Sequence, residues 1–328
     1  MNNSNISNKI LLWYDNNKRI LPWRNKTSIK NKEYFTLVSE FMLQQTQVKT
    51  VVPYFISFIK DFPDLKSLAK ADEQKVLKKW EGLGYYSRAI NLKKTAIRLL
   101  EEFKGKLPKD IEKLKSLPGI GDYTSRSIMA IAHNKFFIPI DGNVERVLKR
   151  VFLLKTKYEI SKENLDKKKS FFGFSNRPSD YVQAIMEIGA LICKPTIPSC
   201  HFCPLTRSCK AFKKKDFLIN SKNKFNKTKY FEANIYRYKN KYLLIKNRKF
   251  NFLKNLLIFP MTEINQKKFK FSAFKKINVK MSNMNMKIII NKSNKIKITR
   301  DSILLDKSNI SKYILPTFTK KIFNSVLL

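Results

Sequence analysis

Apolar residues recur at spacings of three and four from Ser39 to Leu154. Val76, Leu77 and Trp80 form one such set, and Ile90, Ala96, Ile97 and Leu100 another. That period is helical, so this part of the chain is predicted to be α-helical. Pro63, Pro108 and Pro118 punctuate it as helix-start signals. A further helix is predicted over Tyr181 to Cys193, with Val182, Ile185, Met186 and Ile188 on its apolar face. From Lys210 to Lys229 the chain turns polar and rich in Lys and Asn, as a linker does. Beyond it, Ile235 to Ile245 and Met286 to Ile290 alternate or run short and apolar, as strands do. Ile322 to Leu328 reads as the end of a short helix. The expected organisation is a helical region over 1–215, a linker over 216–230 and a small α/β domain over 231–328. There is no internal repeat.

Composition sharpens this picture. Lys and Arg total 67 against 25 Asp and Glu, a formal net charge of +42 over 328 residues. Such a field concentrates polyanions and opposes self-association, so a monomer is expected. It points to nucleic acid or an anionic membrane surface. Part of it is also what AT-rich codon usage would give, since the chain is rich in Lys, Asn and Ile. No stretch approaches the 18 or so apolar residues of a membrane span. The run Ile10 to Tyr14 is too short for a signal-peptide core. A cytoplasmic protein is expected, with no membrane partner.

All four cysteines, Cys193, Cys200, Cys203 and Cys209, fall within 17 residues, spaced C-x6-C-x2-C-x5-C. Thiolates this close can converge on one centre, and a soft tetrathiolate set selects zinc or an iron–sulfur cluster. Zinc ribbons usually carry two C-x2-C knuckles, and here only Cys200 and Cys203 form one. The longer flanking loops suit a bulkier cube. Disulfides are disfavoured in a cytosolic chain.

Leu117-Pro118-Gly119-Ile120-Gly121 lies between helical patterns. Gly119 and Gly121 allow a tight turn, and a helix beginning near Tyr123 would add its positive N-terminal dipole. Free amides plus a dipole make a sequence-independent phosphate clamp. A dinucleotide-binding loop would need a preceding strand, which Lys109 to Ser116 does not form. About twenty residues on, Asp141 in Ile-Asp-Gly-Asn-Val sits at an expected helix start, where it could simply be an N-cap. Glu40, among Val38, Phe41 and Met42, is either a solvated helix-flank glutamate or a buried one with a raised pKa.

From Leu12 to Lys213 these motifs together resemble the adenine DNA glycosylases of the helix-hairpin-helix, endonuclease III superfamily. The carriers are Leu21-Pro22-Trp23-Arg24, the string Ser39 to Val48, Gly82-Leu83-Gly84-Tyr85-Tyr86-Ser87-Arg88-Ala89, the hairpin Leu117 to Thr124, Asp141 to Val144 with Arg146, and the cysteine spacing. The resemblance implies a mainly α fold: a helix-hairpin-helix six-helix barrel and an iron–sulfur helical domain, then a small Nudix-like α/β domain. It implies one [4Fe–4S] cluster held by the four cysteines, not itself catalytic. It implies excision of adenine from double-stranded DNA containing A:8-oxoguanine or A:G mispairs. Glu40 would protonate the base and Asp141 would stabilise the oxocarbenium ion, with Tyr123 and Asn143 positioning them. Tyr85 and Gln45 would enter the stack, and Arg24, Gln183 and Glu187 would hold the base. The C-terminal part resembles the family more weakly. Its best match to the lesion-reading loop is Met281-Ser282-Asn283, with Ser282 as the surviving contact.

Endonuclease III relatives place a Schiff-base lysine where this chain has Tyr123, and they end soon after the cluster. This chain continues for over 100 residues past Cys209. Both features favour a monofunctional glycosylase over the alternative, an endonuclease III-like pyrimidine glycosylase and lyase. The charge predicts that binding to undamaged duplex weakens steeply with salt, with a log–log slope of about −0.9 per phosphate neutralised. Titrating affinity against salt checks this, and a flat response would place the charge away from DNA.

Overall fold

Short polar side chains set many of the helix starts. Asp64, Asp72, Asp110 and Ser161 each accept a hydrogen bond from a first-turn amide of the helix that follows. Those amides have no partner inside the helix, so the cap satisfies them. The structure is a computed structural model, and it describes residues 3–24, 31–156, 158–217, 227–281, 284–293 and 298–326. Its elements run α1 (Asn3–Asn17), α2 (Lys32–Leu43), α3 (Val48–Asp61), α4 (Leu65–Lys70), α5 (Glu73–Lys79), α6 (Ser87–Phe103), α7 (Ile111–Lys115), α8 (Asp122–Ile131), α9 (Gly142–Phe152), α10 (Lys162–Lys168), α11 (Pro178–Glu187) and α12 (Lys210–Lys213). Then come β1 (Lys227–Ile235), β2 (Arg237–Tyr238), β3 (Lys241–Lys246), β4 (Leu257–Ile258), β5 (Met261–Ile264), α13 (Gln266–Phe271), β6 (Lys275–Met281), β7 (Met284–Lys292), β8 (Ser302–Asp306) and α14 (Thr317–Val326). The expected fold class holds: helices first, then a strand-containing C-terminal part.

The chain divides into two units, one of Met1–Ala71 with Ser87–Ser221 and one of Asp72–Tyr86 with Lys222–Leu328. In the first unit α9 shows how sequence becomes packing. Val144, Val147, Leu148 and Val151 recur on one face and are all buried. They meet Ile10 and Tyr14 of α1 and Tyr181 and Ile185 of α11 in one core. Burying each such side chain contributes about 1.5–3 kcal/mol. Leu37, Val38, Phe41 and Met42 of α2 are fully buried as well. The helix expected over Tyr181 to Cys193 is α11 continued by a wider π turn over Ile188–Ile192.

The second unit holds two sheets. One has the order β5-β1-β7-β6. In it β1 runs parallel to β7, from Lys227 opposite Met284 to Ile235 opposite Lys292. β5 and β6 join antiparallel at its edges. In the other sheet β3 pairs antiparallel with β2, β4 and β8. Phe231, Leu244, Phe259, Ile288, Phe318 and Phe323 share one core. β1 starts at Lys227, inside the span read as linker. Its Lys-rich first half hides a strand whose inward positions, Phe231, Ala233 and Ile235, are buried. The apolar run expected as a single strand over Ile235 to Ile245 is broken between β1 and β3. Ser282 lies outside the described residues. Among the described residues no helix is long and apolar enough to cross a membrane.

Candidate active site

Glu40 lies on the third turn of α2, where its neighbours along the helix face are core residues. It is only 7% exposed. Burial pushes its carboxyl from an ordinary 4.5 up to about 7, and the nearby Asp141 charge adds to the rise. The Ser127 hydroxyl and Arg24 oppose it more weakly. Ser127 Oγ is itself buried without a hydrogen bond of good geometry. Tyr123, in the first turn of α8, lies against the same two carboxylates. Burial, then Glu40 and Asp141, push its phenol well above the usual value.

Asp141 is the N-cap of α9, as the simplest reading of its position requires, and it also faces the site. Its Oδ1 accepts from the amides of Asn143 (2.9 Å) and Val144 (2.7 Å), and its Oδ2 from Asn143 Nδ2 (2.9 Å). Burial raises its pKa, and these three bonds act against the rise. Asn143 is held in turn. Arg146 donates to its Oδ1 (2.8 Å), to the Gly189 carbonyl (2.7 Å) and to the Cys193 carbonyl (2.6 Å). A Cβ on Gly189 would lie 2.6 Å from Asn143 Cβ, so nothing larger than glycine fits there. Sequence reasoning passed over Gly189, although a lone glycine in a helical pattern is a signal of close approach.

Glu187 is fully buried at the end of α11. Arg19 grips both its oxygens, from Nε at 2.7 Å and Nη2 at 3.0 Å, and Arg24 adds a third bond at 2.7 Å. Arg24 and Glu187 are thus brought together as expected, next to Glu40. Arg19 was not anticipated, and nothing in its local pattern marks it. Gln183 is buried, but its amide donates to Ser179 O of its own helix (3.0 Å).

The hairpin needs its first glycine twice over. Gly119 has φ +81°, and a Cβ there would meet Phe41 at 2.8 Å and Asn91 at 2.9 Å. Gly121 differs from the expectation: it is extended, caps α8 and has open space around it. Gln44 Nε2 bridges the Gly119 carbonyl and Thr124 Oγ1, both at 3.3 Å. Its neighbour Gln45 is exposed, in the left-handed region at φ +58°. Arg88 donates to the carbonyls of Phe41, Met42 and Gln44, closing the C-terminal end of α2 with positive charge. Tyr85 belongs to the second unit. It is 39% exposed and also left-handed, at φ +49°.

Cys193, Cys200, Cys203 and Cys209 line one cavity of the first unit. Burial raises the Cys203 thiol to about 12, and it also raises Cys200 and Cys209. Arg150, 3% exposed, donates to Cys193 Sγ at 3.4 Å, and the Leu205 amide donates to Cys203 Sγ at 3.4 Å. Among the described residues no three His, Cys, Asp or Glu form a group that could hold a metal ion.

Glu40 gives a stability prediction. Between pH 4.5 and about 7 the folded chain keeps a proton that the unfolded chain releases. Stability therefore falls as pH rises through that window and stays lowered above it. Glu40→Gln removes the penalty, by up to about 3 kcal/mol. It should melt above the parent at pH 8 and together with it at pH 4; identical melting at both values would contradict the burial cost.

Residues 38–171 match the model of the HhH-GPD superfamily base excision DNA repair protein. The chain is 35% identical over 97% of its length to the adenine DNA glycosylase of Buchnera aphidicola subsp. Baizongia pistaciae, covering 95% of that protein. It is 36% identical over 84% of its length to that of Buchnera aphidicola subsp. Schizaphis graminum, covering 80% of it. A solved thermostable thymine-DNA glycosylase superposes with a TM-score of 0.57 at 24% identity, over 65% of this chain and 97% of that one, and shows the shared fold. The site geometry, the superfamily match over the hairpin and Asp141, and near full-length relatives carry one conclusion: the chain belongs to the adenine DNA glycosylase family of DNA-repair glycosylases.

Proposed function

We propose that this DNA glycosylase hydrolyses the N-glycosidic bond of adenine mispaired with 8-oxoguanine or guanine, acting as a monomer on double-stranded DNA. The observation that carries the reading is a carboxyl with a pKa near 7, Glu40, beside Asp141 and Tyr123 in the helical unit. An adenine inside the duplex is unreachable, so it must be flipped out, at a cost of a few kcal/mol. Tyr85 and Gln45 fill and distort the stack. Arg24 and Glu187 meet the base, with Arg19 keeping the Glu187 carboxylate in place; Gln183 lines the same region.

Glu40 gives its proton to adenine N7. The C1′–N9 bond then breaks, with its electron pair leaving on the base, and the sugar gains oxocarbenium character. Asp141, fixed by two amides and Asn143, stabilises that cation until water adds at C1′. Tyr123 offers a phenol and no amine, which supports excision without a Schiff base. Gly119 and the N-terminus of α8 supply the phosphate grip. Ser282 is proposed as the surviving lesion contact, with weakened preference for 8-oxoguanine over guanine, because Met281 lacks a rigid stacking face.

We assign the four cysteines to one [4Fe–4S] cluster. They face one cavity, they are soft ligands, and Arg150 and the Leu205 amide donate toward sulfur, as donors around such clusters do. Cys193, Cys200, Cys203 and Cys209 would hold the cluster and Lys194 to Ser199 would form a basic DNA-contacting loop beside it, while the proton and the cation stabilisation would come from Glu40 and Asp141. Removal of the metal is read directly: purified chain should carry about four irons, and stoichiometric zinc without iron would overturn the assignment.

Single-turnover excision from a duplex with one adenine opposite 8-oxoguanine, alkali-treated afterwards, tests the chemistry. The rate should fall as pH rises through about 7. Glu40→Gln should lose on the order of 10²–10⁴-fold while duplex binding survives. Near-normal excision by Glu40→Gln, or a borohydride-trapped adduct of the parent chain, would refute the mechanism.

A further inference from the structure

The segment Asp72–Tyr86 clusters with the C-terminal half of the chain and apart from α4 and α6, its neighbours in sequence. It carries the turn that presents Tyr85. That turn is strained: Gly82, Gly84 and Tyr85 all have positive φ, at 99°, 76° and 49°. A tyrosine in the left-handed region persists only where its surroundings hold it. Part of the hold is local. Trp80, fully buried, donates from Nε1 to the Gly84 carbonyl at 3.1 Å, and the Leu83 amide bonds to Trp80 O.

A further part comes from far along the chain. Glu81 immediately precedes the turn, and its side chain is 13% exposed. Its Oε1 accepts from the Leu315 amide at 3.4 Å and pairs with Lys320 Nζ at 2.8 Å. Lys78 of α5 takes the other oxygen at 2.7 Å. Burial pushes the carboxyl up, but the two lysines outweigh it and hold it below its usual value. Leu315, Phe318, Ile322 and Phe323, at most 1% exposed, fix the partner segment in the core of the second unit. A rigid anchor therefore reaches the base of a strained turn through one carboxylate.

We propose that Glu81 is a positioning residue: through Leu315 and Lys320 the C-terminal half sets how the Gly82–Tyr86 turn delivers Tyr85 into the duplex. The inference rests on the intercalating role proposed for Tyr85. It gives the C-terminal half a part in distorting the duplex that is separate from any reading of the lesion.

The test uses the full chain in a Glu40→Gln background, with 2-aminopurine beside the oxidised guanine reporting unstacking. Tyr85→Ala should abolish the brightening on binding. Glu81→Gln and Lys320→Met should each dim it. With Glu40 intact, each should slow single-turnover excision about tenfold, a mid-range coupling for contacting residues. The double variant should be no worse than the poorer single one, and Lys320→Arg should restore the signal. Melting temperatures should stay near the parent's, since a part-exposed ion pair contributes little to stability. Full brightening in both Glu81→Gln and Lys320→Met, with Tyr85→Ala dark, would overturn the latch and leave intercalation standing. Brightening that survives Tyr85→Ala would sink the intercalating role itself. A loss that Lys320→Arg does not restore, accompanied by lowered melting, marks a folding role and also overturns the latch.

Discussion

A carboxylate taken out of water must find compensation, and the helical unit buries three of them in one neighbourhood. Glu187 is compensated by charge, with two guanidinium groups on a side chain that has no exposure. Asp141 is compensated by dipoles, with two backbone amides and one side-chain amide at the start of α9. Glu40 has only a weakly placed hydroxyl and a more distant arginine. It resolves the conflict by keeping its proton. The least compensated of the three is therefore the one able to give a proton away near neutral pH, while the other two are tied down by their donors.

The rest of the unit serves that arrangement. Gly189, in the π turn after α11, allows a close approach to Asn143, and Arg146 ties Asn143 to carbonyls within and just after that turn. Gly119 lets the hairpin approach α2, on which Glu40 sits. Arg88 closes the end of α2 three times over. Small residues set the distances, and arginines set the directions. Arginine suits this work because its rigid fork can reach several carbonyls at once.

Much of this was legible in the sequence, and the failures have physical causes. Glu40 among apolar neighbours, Asp141 at a helix start and four cysteines in one window are local patterns; Glu40 is buried, Asp141 caps α9 and the four cysteines line one cavity. Gln183 was legible as buried, but not as turned back onto Ser179, because an amide's rotamer is set by its surroundings. Arg19 was invisible, since its partner is 168 residues away. The first half of β1 was hidden because Lys227 and Thr228 are exposed and Lys229 pairs with Glu263, so the apolar inward positions begin only at Phe231. The membership of Asp72–Tyr86 was hidden most completely. Its helical period agrees with the segments on either side, and only long-range contacts assign it to the other unit.

That discontinuous unit bears on how the chain is made. Glu81 leaves the ribosome about 240 residues before Lys320 does. At about 5–20 residues per second this is a wait of roughly ten to fifty seconds. Throughout it Glu81 lacks Leu315 and Lys320, so the carboxylate at the base of the Tyr85 turn waits for its donors. Within the first unit α4 and α6, which flank the segment in sequence, pack against each other. Lys320 on α14 thus completes an arrangement begun about 240 residues earlier at Glu81.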